Sequence, residues 1–456
     1  MYQKNSHPLI TGTMMLTLAG FLSRIIGFFY RIFLSQTIGA EGIGIYQLTT
    51  PLLAICFSFA CAGIQTAVSR FVAAAGTKSK KGMEKCTYLY CGCFLSFSIS
   101  VFLSCLLFFY ADFISEVIVH ETRCAPLIKV LAFSLPLESL HACISGFYFG
   151  VKESKIPALS QLTEQLARVA FVFTLFSFLG SRGKPLPLTV VVLGTIVGEL
   201  FSVLLCIVSL KLYIPVGLSP IRKLTSSLPL AGKLVSFALP LTLNRTIISL
   251  LCSVEAICIP SRLQIYGYTA SDALCIYGIL TGMALPLILF PCAITNSAAV
   301  MLLPIVSESD AAGNRQFLSK TIQKTICICL LVGTFCTFGF LILGDFAGYL
   351  LFYNQLAGNF ITTLSFICPF LYLNTTLSSI LHGLGKTTTA FFISCSGILT
   401  RLLFTFFLIP RIGIRGFLYG LLVCTMLTAV LYLAALKAEG YSVLSFSHNL
   451  KLKKNA

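Results

Sequence analysis

Apolar stretches of about 18 residues or more recur along the whole chain, each long enough to cross a hydrocarbon core of roughly 30 Å as one helix. Twelve follow one another, at approximately residues 9–36, 43–70, 86–110, 125–149, 157–180, 187–210, 232–257, 272–304, 322–344, 358–382, 388–410 and 414–436. The polar segments between them are too short for a soluble domain. Charged residues make up 10% of the chain and hydrophobic residues 57%, whereas an average soluble domain carries about 25% charge. The surface of a soluble protein of 456 residues could not be covered with so few charges. The expectation is therefore an all-α, polytopic membrane protein. Its first stretch is not expected to be a cleaved signal peptide, because it is long, carries Arg24 and Arg31, and is followed by no small-residue cleavage site.

The basic residues set the orientation. With the N-terminus inside, 20 of the 32 Lys and Arg fall on the cytoplasmic side, including Lys78, Lys80, Lys81, Lys152, Lys320, Lys386 and Lys451. Seven fall on the opposite side, Arg123, Lys129, Arg182, Lys184, Arg262, Arg411 and Arg415, and five lie within spans. By the positive-inside rule both termini are cytoplasmic. Basic loops beside anionic headgroups account for much of the +17 net charge and leave no need for nucleic acid as a partner. The 19 cysteines form no metal or disulfide pattern. Cys86, Cys91 and Cys93 include no CxxC pair, and most others lie mid-span, where Cys acts as a small apolar residue.

The chain also repeats itself. At a displacement of 233 residues, Pro136 meets Pro369, Gly150 meets Gly383 and Arg168 meets Arg401, with Leu and Phe identities between them. Six spans separate the copies, so both halves insert in the same sense. Parallel repeats of this kind are a transporter architecture, with the substrate site expected between the halves. The organisation read from this is a six-helix lobe over residues 1–212, a cytoplasmic linker over 213–231, a second six-helix lobe over 232–440 and a basic tail over 441–456.

Ionisable residues inside a span are costly and by default mark a pathway or site. The first span carries Arg24 and Arg31 and no acidic residue. The fifth carries Gln161, Glu164, Gln165 and Arg168, a polar stripe at helical spacing in which Glu164 can pair with Arg168 one turn on. The fourth carries Glu138 and His141, the sixth Glu199, and the seventh Asn244, Arg245 and Glu255. Arginine stays protonated and presents a planar fork that matches phosphate oxygens. Arg24, Arg31, Arg245, Gln161 and Arg168 are therefore the candidate substrate-binding residues for an anionic ligand. Glu138, His141 and Glu164 are the candidates for exchanging a coupling ion, Na⁺ or H⁺. No nucleophile–base set, nucleotide loop or metal motif appears, so no cofactor and no enzymatic activity are expected.

Three stretches carry a resemblance: Gly12-Thr13 through Ser23-Arg24-Ile25-Ile26-Gly27-Phe28-Phe29-Tyr30-Arg31, then Ile38-Gly39-Ala40-Glu41-Gly42, then Gly63-Ile64-Gln65-Thr66-Ala67-Val68-Ser69-Arg70. They resemble the polysaccharide-biosynthesis branch of the multidrug/oligosaccharidyl-lipid/polysaccharide (MOP) exporter superfamily, in particular the stage V sporulation protein B group, relatives of lipid II flippases. The resemblance implies two parallel six-helix bundles forming a V-shaped central cavity. It places Arg24 where lipid II flippases have a cavity arginine. A second family arginine falls on Tyr30, with Arg31 beside it. The basic residues those flippases carry in their second span are missing here, as are two extra C-terminal helices.

The function expected is flipping of a polyprenyl-diphosphate-linked saccharide, a peptidoglycan or envelope polysaccharide precursor, across the bacterial cytoplasmic membrane. Membrane lipids and envelope-synthesis enzymes are the other expected partners. The competing readings are a multidrug/cation antiporter of the same superfamily, a membrane enzyme and a non-transporting scaffold. Reporter fusions after residue 80 and at the C-terminus should both report the cytoplasmic side. An outside reading at the C-terminus would mean an odd number of spans and inverted halves.

Overall fold

The computed structural model describes residues 6–75, 82–213 and 228–441, and among these every regular element is a helix. The helices that build the spans are α1 (Ser6–Thr37), α2 (Gly39–Phe57), α3 (Gly63–Ala75), α4 (Gly82–Phe109), α5 (Ala125–Leu131), α6 (Ser134–Gly150), α7 (Lys155–Gly180) and α8 (Leu188–Tyr213). They continue with α9 (Leu228–Tyr266), α10 (Ala270–Gly278), α11 (Leu285–Leu289), α12 (Cys292–Ala311), α13 (Arg315–Phe352), α14 (Gln355–Leu364), α15 (Cys368–Gly383), α16 (Thr387–Phe407) and α17 (Ile414–Ala438). Eleven helical segments are long and apolar enough to cross a membrane, and a pair bent by 44°, ending in α5 and α6, supplies a twelfth. Eleven of the twelve apolar stretches lie on one of these spans; the eighth, 272–304, is broken at Phe290, its first part on the span Ala270–Leu289 and the rest on α12. The helices are apolar on their outer faces too. On α13, Phe335, Phe338, Ile342 and Phe346 are all exposed, as a surface facing lipid requires.

Proline explains where two spans bend. A proline ring clashes with the carbonyl four residues earlier and offers no N–H to it. Pro136 therefore breaks its helix around Ala132, between α5 and α6, and Pro369 breaks its own at Ser365–Ile367, between α14 and α15. The two prolines are related by the displacement found in the sequence, and the backbone repeats around them. His120 and Tyr353 both take left-handed φ, 57° and 49°, and so do Lys152 and Gly385, at 63° and 74°. Glu121 and Asn354, each one residue on from the first pair, both cap the next helical turn through their side chains. Gly150 and Gly383 close the two corresponding helices. Beside its cap, Arg123 hydrogen-bonds both Glu121 (2.7 Å) and Glu41 (2.8 Å), and the first of these bonds holds the Glu121 carboxyl below its ordinary range.

The described residues pack as two compact units. One runs up to Ser261 and adds Ala270–Gly278; the other holds Arg262–Thr269 and continues from Ile279. Most of α9 thus packs in the first unit, although the sequence repeat assigns it to the second lobe. Of the expected linker, residues 214–227 lie outside the described residues, as does the basic tail beyond Tyr441. The packing boundary falls later than the repeat boundary because glycines bring α9 and α10 close to α2 and α3. A Cβ on Gly63 would lie 2.1 Å from Thr242 Oγ1, one on Gly44 2.3 Å from the Leu274 carbonyl, and one on Gly278 2.1 Å from the Ala40 carbonyl. Ser253 adds a hydrogen bond to the Pro51 carbonyl at 2.9 Å.

The reciprocal crossing of Gly44 and Gly278 admits no side chain without separating the helices. Gly278→Ala should lower stability by about 1–3 kcal/mol, the usual cost of overpacking. Gly20→Ala, with nothing within 4 Å of the new carbon, should be neutral or stabilising. Thermal unfolding in detergent separates the two, and equal midpoints would contradict the crossing.

Candidate functional site

Three neighbouring helices of the first unit carry polar residues at spacings of three and four, which place each set on one helical face. These are Glu138, His141 and Ser145 on α6; Ser160, Glu164 and Arg168 on α7; and Thr195, Glu199 and Ser202 on α8. The faces meet because α8 comes close to α7 at Gly198, where a Cβ would lie 2.7 Å from the Glu164 carbonyl. Glu164 and Glu199 are thereby brought to the same level of the bundle.

Their side chains surround a cavity of about 400 Å³, lined by Glu138, His141, Glu164 and Glu199 together with Thr50 and Gln65 from α2 and α3. Glu164 pairs with Arg168 one turn away. Glu138 accepts a hydrogen bond from Ser134 at 2.9 Å. His141 stands between two helices: Nδ1 is 3.2 Å from Glu199 Oε2, and Nε2 is 3.0 Å from Ser160 Oγ. Ser202 Oγ lies 3.1 Å from Nε2 and 3.3 Å from Nδ1. Ser160 has one proton and gives it to the Pro157 carbonyl, 3.0 Å away, so its oxygen accepts from His141 Nε2. Nδ1 thus stands at hydrogen-bonding distance from Glu199 Oε2, donating to it when it carries a proton and offering a lone pair when it does not.

The line Ser160–His141–Glu199 has the connectivity of an acyl-transfer triad. Ser160 is fully buried, however, with its proton committed to a backbone carbonyl. The arrangement fixes the imidazole and presents no nucleophile.

The structure thus joins Glu138, His141 and Glu164, the three coupling candidates, around one cavity. It adds Glu199, which lies 58 residues from its partner His141. The signal for Glu199 was present in the sequence as the stripe Thr195, Glu199 and Ser202, at the spacing of one helix face. Of the substrate-binding candidates, Arg168 is tied to Glu164 beside the cavity. Arg24, Arg31, Arg245 and Gln161 do not line it. Arg24 and Arg31 are exposed on α1, which packs on α7 through Phe33 against Phe176 at 5.1 Å; Arg245 is exposed on α9, and Gln161 is half-buried.

In the second unit the repeat keeps the backbone and Arg401, and puts uncharged residues at the positions of His141, Glu164 and Glu199. The counterpart of His141 is Asn374, which donates to the Thr425 carbonyl at 2.9 Å and to Thr428 Oγ1 at 2.8 Å. Gly397 stands in the place of Glu164 and Tyr432 in that of Glu199, with the Tyr432 hydroxyl 3.3 Å from Ser394.

Removing one partner of a buried ion pair leaves an uncompensated charge, at a cost of about 3–5 kcal/mol. Arg168→Gln should therefore destabilise the protein by that order, and Glu164→Gln/Arg168→Gln should recover much of the loss. Unfolding midpoints of the two variants test the pairing; a double variant no more stable than the single one would contradict it.

The model of the family described as polysaccharide biosynthesis protein matches residues 9–310. Stage V sporulation protein B of Bacillus subtilis (strain 168) is 24% identical over 429 residues, covering 93% of this chain and 83% of that protein. Lipid II flippase MurJ of the same organism is 23% identical over 460 residues, covering 94% and 81%. Among solved structures, the inward closed conformation of lipid II flippase MurJ superposes with a TM-score of 0.72 at 15% identity, over 93% of this chain and 87% of that one. An inward-facing MATE family multidrug resistance transporter superposes with a TM-score of 0.71 at 14% identity, over 99% and 100%. These likenesses show a shared fold. With the family match covering more than half of its length, this multi-pass membrane chain belongs to the polysaccharide biosynthesis protein family and has the helical fold of the MOP superfamily.

Proposed function

We propose that this chain flips a polyprenyl-diphosphate-linked saccharide, a peptidoglycan or envelope polysaccharide precursor, across the bacterial cytoplasmic membrane by alternating access. Both termini are cytoplasmic in this reading, and no covalent chemistry is involved. One observation carries it: Arg24, Arg31 and Arg245 lie within spans yet have exposed side chains. An arginine facing lipid at mid-bilayer costs about 2.5–3.5 kcal/mol or more, so such residues line water-accessible paths. A cationic path suits a diphosphate, and a guanidinium fork binds its oxygens two at a time. Family membership and the relatives named above point the same way.

Movement against a gradient needs an energy source. In this reading the coupling cation is exchanged at Glu138, His141 and Glu164, with Glu199 as the group that anchors His141. A second reading rests on the same cavity. It is lined by three carboxylates and no arginine, a polarity that also suits a cationic cargo. There the chain would be a cation antiporter, like the MATE transporters whose fold it shares.

The test is flipping in proteoliposomes. Arg24→Ala should abolish flipping of a polyprenyl-diphosphate saccharide with insertion and folding intact. Arg24→Lys should retain part of it, because an ammonium cannot reproduce the bidentate fork, and losing that contact should weaken binding roughly tenfold or more. Glu138→Gln and Glu164→Gln should change the dependence on imposed ion gradients. Wild-type flipping by Arg24→Ala would overturn the substrate assignment, and unchanged gradient dependence in both glutamine variants would overturn the coupling assignment.

A further inference from the structure

Imidazole and carboxylate both present lone pairs, and in the first unit they converge. His141, Glu164 and Glu199 each offer a ligand atom, and the three atoms lie within 4.8 Å of one another. We propose that these residues form a binding site for a divalent transition-metal ion, with His141 Nδ1 and Glu199 Oε2 as the preformed pair of ligands and Glu164 as the third.

Distance supports the pair. Zinc-like ions bind imidazole nitrogen and carboxylate oxygen at about 2.0–2.2 Å, so two adjacent ligand atoms of one ion stand roughly 3.0–3.4 Å apart. The observed separation of Nδ1 and Oε2 is 3.2 Å. Hydrogen bonding supports it independently. A ligating histidine donates its other ring N–H to a fixed acceptor, which sets the tautomer and aims the ligand atom. Here Nε2–H is received by Ser160 Oγ, itself anchored to the Pro157 carbonyl. Ser202 Oγ flanks the ring. In that tautomer Nδ1 is directed at the Glu199 carboxylate oxygen, the pair of atoms a metal ion would take over.

Charge supports it a third time. Glu138, Glu164 and Glu199 converge on the cavity, and Arg168 is paired with one of them. Carboxylates gathered in a low-dielectric bundle need compensation, by protons or by a bound cation. A divalent ion supplies it. The donor set selects among cations: Na⁺, Mg²⁺ and Ca²⁺ take oxygen ligands, whereas imidazole nitrogen with carboxylates suits zinc, cobalt, manganese or iron. An ion held there would tie α6, α7 and α8 together and exclude the coupling cation from the same atoms. The proposal does not rest on the flippase reading, because binding is read on the isolated protein.

The test uses the full chain, purified in detergent, stripped with a chelator, titrated with Co²⁺ and desalted. One Co²⁺ per chain should be retained, with ligand-field bands of a low-coordinate nitrogen–oxygen site. His141→Ala and Glu199→Gln should each weaken binding at least tenfold, Ser160→Ala by about 10–100-fold as the loss of an outer-shell partner, and Glu138→Gln little. Because a variant could misfold, Cu²⁺ in place of Co²⁺ gives a readout on the unsubstituted chain, nitrogen hyperfine splitting from a single imidazole in its electron paramagnetic resonance spectrum. No retained metal, no nitrogen coupling, or unchanged binding in folded His141→Ala and Glu199→Gln would overturn the site.

Discussion

Carboxylates placed inside a bilayer must find their compensating charges within the protein, and the packing of α6, α7 and α8 is organised by that need. Glu164 meets Arg168, Glu138 meets Ser134, and Glu199 meets an imidazole held from behind by Ser160. The apolar contacts around them are permissive, because lipid offers a hydrophobic side chain much the same environment as a neighbouring helix. The polar contacts, together with glycines such as Gly198, fix which helix faces which. The cavity exists because these faces converge while α2 and α3 close it from the side.

The repeat gives this arrangement its meaning. Two halves with helix irregularities four residues before Pro136 and Pro369, matching left-handed residues and matching caps share one backbone plan. The clustered carboxylates and His141 stand in the first unit. In the second, Asn374 bonds Thr425 and Thr428, Tyr432 bonds Ser394, and Gly397 carries no polar group. Arg168 and Arg401 share one register of the repeat, and the first is paired with Glu164 beside the cavity.

Much of this was legible in the sequence because membrane helices leave little freedom. The twelve spans follow from length and hydropathy, and the stripe at Glu164 and Arg168 follows from helical spacing. The bends follow from two prolines in one register. What local sequence could not supply was the rotation of each helix about its axis. A helix that is apolar all round gives no amphipathic phase, so Arg24 and Arg31 could not be told apart from Arg168 as lining residues. In the structure Arg168 is paired with Glu164 beside the acidic cavity, and neither α1 arginine lines it. The union of His141 with Glu199 spans two helices and depends on Gly198, so it is a tertiary fact. The division of packing near Ser261 likewise follows from close glycine contacts.

The account reads the exposed arginines as the path for an anionic lipid and the acidic cavity as the seat of a coupling cation. Side-by-side transport in the same proteoliposomes separates this from its rival. A fluorescent polyprenyl-diphosphate saccharide and a lipophilic organic cation are supplied to vesicles bearing the wild-type chain, and translocation of each is followed under an imposed ion gradient. The account predicts gradient-dependent flipping of the lipid and no protein-dependent movement of the cation. Movement of the cation without flipping of the lipid would contradict it.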